Sequence, residues 1–201
     1  MNYYHNLITD RSFKLLQNLR EKYKFILIGG WAVFLYTGAL KSKDIDLVVE
    51  FEEYSKFRQD FEVNKNARLK KYEAKFEGID IDIYLPYYSN PGLPAEDLKK
   101  ITQKLEGFTV CEKEVLAILK QRALNERAGS VKGRKDLIDL VSLFRLPDFD
   151  WDKYNRLISD YKVGELAKFC KNIISKTSNI SELALNVHKM ARLKKRILPL
   201  I

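Results

Sequence analysis

Cysteine, histidine and methionine each occur only twice in the 201 residues, and proline only five times. Cys111 and Cys170 stand alone, without a CxxC or CxxH neighbourhood. That excludes a sequence-readable zinc site or disulfide framework and leaves two reduced, structural thiols as the expectation. His5 and His188 have no partner in sequence, so neither is assigned a metal or a catalytic proton. No apolar run approaches the roughly 20 residues needed to cross a bilayer, which argues against a transmembrane segment. The stretch from Met1 to Arg11 has no charged region followed by an apolar core, so a secretory signal is not expected and a cytoplasmic location is. Internal repeats and low-complexity segments are also missing. A composition of 46% hydrophobic and 31% charged residues belongs to an ordinary folded globular chain.

Charge is present in excess of one sign, with a net of +9. Up to Val110 there are 17 Lys or Arg against 16 Asp or Glu, whereas the remainder carries 19 against 11. A nearly neutral front half followed by a strongly basic back half places carboxylate chemistry in the front. The back half then either faces something acidic, such as a triphosphate or RNA, or is a solvated lysine-rich surface.

The hydrophobic pattern points to an α+β fold, a mixed β-sheet flanked by helices and followed by a C-terminal helical bundle. The expected division is 1–110 and 111–201. A first amphipathic helix is predicted over 10–24, a buried strand over 25–28, a helix-compatible run over 31–40 and a second strand over 45–51. A surface helix is predicted over 51–61, and an alternating hairpin over 68–76 and 79–85 turns at Gly78. Pro94 would begin a helix over 95–105. Beyond it, helices are predicted over 112–127, 134–146, 151–161, 163–175 and 181–198.

Chemistry concentrates in two runs of the front half. Ile28-Gly29-Gly30-Trp31 places paired glycines between a strand and a helix. Such glycines permit a tight turn and a close ligand approach, and they aim unpaired helix N–H groups at an anion. Asp44-Ile45-Asp46 then sets two carboxylates on one face of a strand, where their repulsion is tolerable if divalent cations fill the gap. In Ile79-Asp80-Ile81-Asp82-Ile83, strict alternation gives Asp80 and Asp82 a shared face, and either can supply a third carboxylate. Either acidic motif alone would read as the solvent face of an alternating strand; their order after Gly-Gly favours a site.

The combination resembles the nucleotidyltransferase superfamily that includes polymerase β, in the branch of small minimal and abortive-infection (AbiEii-like) enzymes. The resemblance implies a metal-dependent enzyme that moves a nucleoside monophosphate from an NTP to a hydroxyl of RNA, tRNA, protein or a small molecule. Asp44, Asp46 and one of Asp82 and Asp80 would hold Mg2+ or Mn2+, with Asp82 the closer match to small transferases. Gly29, Gly30 and the Trp31 N–H would cradle the departing pyrophosphate, with Lys41 and Lys43 nearby. A serine common after the first glycine is replaced by Gly30, so phosphate contact would rest on backbone groups.

In the back half, Lys120 and Asp136 match the closing motifs of abortive-infection toxins of toxin-antitoxin systems and would border the nucleotide. The competing reading is a helix pair joined at Gly129 and Gly133. Trp151, Tyr154 and Tyr161 have the spacing of core residues rather than of a base-stacking platform. The basic tail from Arg192 to Arg196 could meet RNA, a membrane surface or a partner, or pack on its own domain. Two alternative functions remain: a metal-dependent nuclease using Glu73-Ala74-Lys75, and a silent module that binds nucleic acid or a partner.

Overall fold

The computed structural model describes residues 2–201, with side chains from residue 7 onward, so His5 lies outside the described side chains. The chain divides into two compact units, Met1–Glu112 and Lys113–Ile201.

In the first unit the order is α1 (Asn2–Lys22), β1 (Ile26–Ile28), α2 (Gly29–Thr37), β2 (Ile45–Val48), α3 (Phe51–Asp60) and β3 (Val63–Asn66). There follow β4 (Lys71–Phe76), β5 (Ile79–Tyr84), α4 (Ala95–Leu98), β6 (Thr102–Leu105) and β7 (Phe108–Cys111). The strands form one mixed sheet in the order β3-β4-β5-β2-β1-β7-β6. β5 runs parallel to β2, and β7 parallel to β1, while the other neighbours are antiparallel.

Alternation explains the central strands: Ile45 and Leu47 of β2 and Ile81 and Ile83 of β5 are fully buried on one side, leaving the aspartates between them to the other. Each such side chain contributes about 1.5–3 kcal/mol by leaving water. Trp31 is buried in the same core and donates from Nε1 to Ser12 Oγ at 2.9 Å, which fastens α2 to α1. Tyr23 stacks on Phe57 at 4.0 Å between ring centres, joining α1 to α3.

Two hairpins turn at Glu77-Gly78 and Glu106-Gly107, where both residues of each pair have positive φ. That geometry matches the right-handed twist of the flanking strands and fixes the pairings Phe76 with Ile79 and Leu105 with Phe108. The second hairpin corrects the helix expected over 95–105. Only Ala95–Leu98 is helical, because Thr102–Leu105 pairs as β6 with β7, whose Phe108, Val110 and Cys111 are buried. The edge strand β3 was not expected either, since Asn64 and Lys65 break any apolar alternation.

The second unit consists of α5 (Lys113–Arg127), α6 (Val131–Phe144), α7 (Trp151–Asp160), α8 (Gly164–Lys176) and α9 (Val187–Ile197), with short 3-10 turns at Ser181–Leu183 and Leu198–Leu200. α6 begins earlier than the expected residue 134 because Ser130 caps it, its hydroxyl accepting from the Gly133 N–H at 3.0 Å. Gly133 is therefore inside the helix rather than in the turn, and a Cβ there would lie 2.2 Å from the Arg127 carbonyl oxygen. The single helix expected over 181–198 is interrupted at Ala184, which has positive φ, and restarts with Asn186 as cap. Phe144, Phe149, Trp151 and Tyr154 form one aromatic cluster in this unit, so Trp151 and Tyr154 serve the core. Both cysteines are free and buried, and desolvation pushes each thiol up to about 12. Among the described residues no helix is long and apolar enough to cross a membrane.

Candidate active site

β1 ends at Ile28 and the chain enters α2 through Gly29, whose φ of +68° lies in the left-handed region. The first N–H groups of a helix have no internal acceptor, so Gly29, Gly30 and Trp31 begin α2 with donors available to an anion. The Trp31 side chain takes no part, being committed to the core.

Beside this turn lies Asp46. It pairs across the antiparallel ladder with Ile28, and a Cβ built on Gly29 would fall 2.0 Å from Asp46 Oδ2. On its other flank Asp46 is the parallel register partner of Asp82. Residues directly opposite in neighbouring strands project to the same face, so the two carboxylates share one side of the sheet. Asp44 stands at the bend immediately before β2 and is partly buried.

Asp80 occupies a different setting. It belongs to the same face of β5 but is 53% exposed and pairs with Lys75 at 3.3 Å. Asp82 is 18% exposed and receives Lys71 Nζ on Oδ2 at 2.6 Å. Lys71 also reaches Glu73 at 3.0 Å, and Glu73 is the cross-strand partner of Asp82. Burial and the negative charge of Asp46 push the Asp82 carboxyl up to about 7, against the opposing pull of Lys71. For Glu73 desolvation opposes the charge, but Lys71 and the Asn66 amide together outweigh it and hold the carboxyl below the usual range. Lys71 is raised although burial opposes its charge, because Asp82 and Glu73 both favour the ammonium.

Lys71 was absent from the residues anticipated in sequence. The signal that finds it is the Glu77-Gly78 turn, since a two-residue loop fixes Glu73 opposite Asp82 and brings Lys71 to the diagonal position. Lys75, in the acid-x-lysine pattern of the nuclease alternative, pairs instead with Asp80 at the exposed end.

Among the described residues no group of three or more His, Cys, Asp or Glu is gathered closely enough to hold a metal ion. Asp46 and Asp82 nevertheless fit a hard divalent cation. They are two adjacent oxygen donors on one face, one of them destabilised by the charge of the other, and magnesium is commonly held by one or two carboxylates plus substrate phosphates.

Of the remaining anticipated residues, Lys41 and Lys43 belong to the first unit. Lys41 is about half exposed and pairs with Asp10 of α1 at 2.8 Å, beside a cavity of about 390 Å3 that is lined by Asp10, Phe13, Lys14, Gln17, Trp31, Phe34 and Lys41. Lys43 is exposed. Lys120 and Asp136 belong to the second unit and are buried there. Lys120 Nζ lies 3.3 Å from Asp136 and 2.6 Å from Asp139, and Arg127 contacts both oxygens of Asp136 at 2.5 and 2.9 Å.

No family profile and no curated protein matches the chain. Solved structures do. The antibiotic-resistance factor ANT(2'')-Ia, a nucleotidyltransferase, aligns with 79% of this chain and 93% of its own, at 15% identity and a TM-score of 0.55. JHP933 from Helicobacter pylori aligns over 94% of this chain and 93% of its own, at 16% identity and a TM-score of 0.50. An antigenic nucleotidyltransferase-like protein from Paracoccidioides brasiliensis aligns over 82% and 92%, at 20% identity and a TM-score of 0.43. With a mixed sheet that sets Asp46 and Asp82 beside a glycine turn, the chain has the nucleotidyltransferase-type fold.

Proposed function

We propose that the protein is an enzyme that transfers a nucleoside monophosphate from an NTP to a hydroxyl acceptor and releases pyrophosphate. The observation that carries this reading is the in-register pairing of Asp46 with Asp82 next to a left-handed Gly29 that leaves no space for a side chain. A carboxylate pair that can hold a divalent cation, set beside a helix N-terminus that can receive an anion, suits the phosphates of a nucleoside triphosphate.

Each part has a role. The α2 N-terminus at Gly29, Gly30 and Trp31 would receive the anionic leaving group through its backbone N–H groups, the Trp31 side chain being turned into the core. Asp46 and Asp82 would hold magnesium or manganese, with Asp44 at the bend before β2 as a further candidate carboxylate, and the metal would supply charge neutralisation of the phosphates and activation of the attacking hydroxyl. Asp82, as a ligand of the metal, would help deprotonate the attacking hydroxyl. Lys71 orients Asp82 through its 2.6 Å contact. Lys41 and Lys43, on the loop before β2, add positive charge on the approach of a triphosphate. Lys120 and Asp136, buried in the second unit, support that unit's packing in this reading and leave nucleotide contact to the first.

The test is incubation with each α-labelled NTP, Mg2+ or Mn2+, and in turn total RNA, tRNA and the protein alone. Label should appear in one acceptor and be lost with Asp46→Asn. Shortening of the RNA without label incorporation would replace transfer by hydrolysis and favour the nuclease that Glu73, beside Asp82, could serve.

A further inference from the structure

The second unit contains a cavity of about 370 Å3 lined by Arg145, Lys189, Arg192, Leu193 and Arg196. All four cations are exposed, and among the described residues none of them pairs with a carboxylate. Their internal hydrogen bonds go only to main-chain oxygens: Arg145 Nη1 to Leu183 at 3.2 Å, Lys189 Nζ to Ala184 at 3.4 Å and Arg196 Nη2 to Arg145 at 3.5 Å. From residue 183 to the end of the chain there are five Lys or Arg and no Asp or Glu, so the local field has one sign.

Helix stability accounts for part of this arrangement. Arg196 lies in the last turn of α9 and Arg145 caps α6, where a cation complements the negative end of the helix. Lys189 is in the first turn of α9, where a cation opposes the dipole, and Arg192 is mid-helix. Gathering these two with the others around one concavity costs repulsion that a bound anion would relieve.

We propose that Arg145, Lys189, Arg192 and Arg196 form a binding site for the sugar-phosphate backbone of a nucleic-acid strand. Guanidinium forks match phosphate oxygens in geometry, and three of the four cations are arginines. Lys189 to Arg196 spans seven residues of helix, about 10 Å, which reaches past a single phosphate group and suits consecutive phosphates on one strand. A membrane surface is the poorer match, because Met190, Leu193 and Ile197, the apolar face of α9, are already buried in their own unit. The site stands independently of the carboxylate site in the first unit, and its strand need not be the acceptor of nucleotidyl transfer.

The test uses the full chain and fluorescence anisotropy with labelled 12-nucleotide RNA and DNA of one sequence, over a range of salt. Four phosphate contacts to a single strand predict a log–log salt slope of about −3, since each contributes roughly −0.7. The variant Lys189→Gln/Arg192→Gln, which retains the Arg145 and Arg196 backbone bonds, should bind about tenfold or more weakly and lose about 1.4 of that slope. Lys99→Gln/Lys100→Gln, on the first unit, is the charge-matched control and should bind like wild type. Circular dichroism verifies that the variants fold, and Arg192→Lys, which keeps the charge but loses the fork, should bind between wild type and the double variant. A preference between the two oligonucleotides identifies the strand type and supports the site. Equal affinities of wild type and Lys189→Gln/Arg192→Gln would overturn it. So would full displacement of the strand by equimolar pyrophosphate, or tighter binding to vesicles of anionic lipid or to an acidic peptide.

Discussion

Gly29 follows the Ile28–Asp46 pair that ends the β1–β2 ladder, and a methyl group on Gly29 would lie 2.0 Å from Asp46 Oδ2. Gly29→Ala therefore does two things: it strains a residue at φ +68° by about 1–2 kcal/mol, and it pushes the carboxylate from its position. Gly38 separates the two effects. It has φ +63°, and a methyl group there would meet nothing within 4 Å, so Gly38→Ala carries the strain alone. We expect both variants to melt a few degrees lower, and only Gly29→Ala to lose nucleotide incorporation. Equal activity in the two would remove Asp46 from any catalytic role near this turn.

The two aspartates of β5 should behave differently despite sharing a face. Asp82 is the register partner of Asp46, whereas Asp80 is half exposed and pairs with Lys75. Removing a carboxylate that stabilises transition-state charge costs several kcal/mol, so Asp82→Asn should lower incorporation by about a hundredfold or more. Asp80→Asn should stay within about threefold, as expected for an exposed ion pair. Steady-state rates with saturating NTP decide the matter, and an Asp80 variant as damaged as the Asp82 variant would contradict the assignment.

How these features could be read in advance follows from the range of the interactions involved. The face of β2 that carries Asp46 and the Gly29-Gly30 turn were legible because each depends on local spacing: alternation sets the face of a strand, and paired glycines mark the bend. The hairpin at Gly78 was legible for the same reason, and with its two-residue loop the pairing of Glu73 with Asp82 was implicit. The parallel pairing of Asp46 with Asp82 was not, because it joins strands 36 residues apart through packing rather than through a turn. β6 was misread as helix because Thr102–Leu105 gains its identity only from β7 beside it. The ion pair of Lys120 with Asp139 was not legible, since it forms only when α5 and α6 pack.

Protonation of Asp82 gives the metal-free protein a specific pH dependence. The folded-state value near 7 lies above the ordinary 3.8, so the folded protein holds a proton that the unfolded chain has released between about pH 4 and pH 7. This group's contribution is most favourable below pH 4 and declines as pH rises through 7, by an amount on the order of a few kcal/mol. Asp82→Asn has no such step. Urea unfolding in EDTA should show the wild type losing stability relative to Asp82→Asn from pH 4 to pH 8. Parallel curves would mean that burial and Asp46 do not act on this carboxyl as the geometry requires.

Lys120 presents the opposite case, a charge whose partners are buried. Its ammonium is 2.6 Å from Asp139, which is fully buried and whose oxygens make no other hydrogen bond among the described residues, while Asp136 also has Arg127. Lys120→Met leaves Asp139 without a counter-charge in an apolar setting and should destabilise the protein by about 3–5 kcal/mol. Lys120→Met/Asp139→Leu removes both charges and should recover most of that loss, because well-packed apolar replacements of a buried ion pair are often neutral. Urea unfolding of the two variants measures the recovery, and NTP titration of the double variant supplies the functional readout. If the double variant regains stability and binds NTP like wild type, Lys120 acts only within its own unit. If it folds but binds NTP about tenfold more weakly, the lysine contacts the nucleotide as the resemblance to abortive-infection toxins implies.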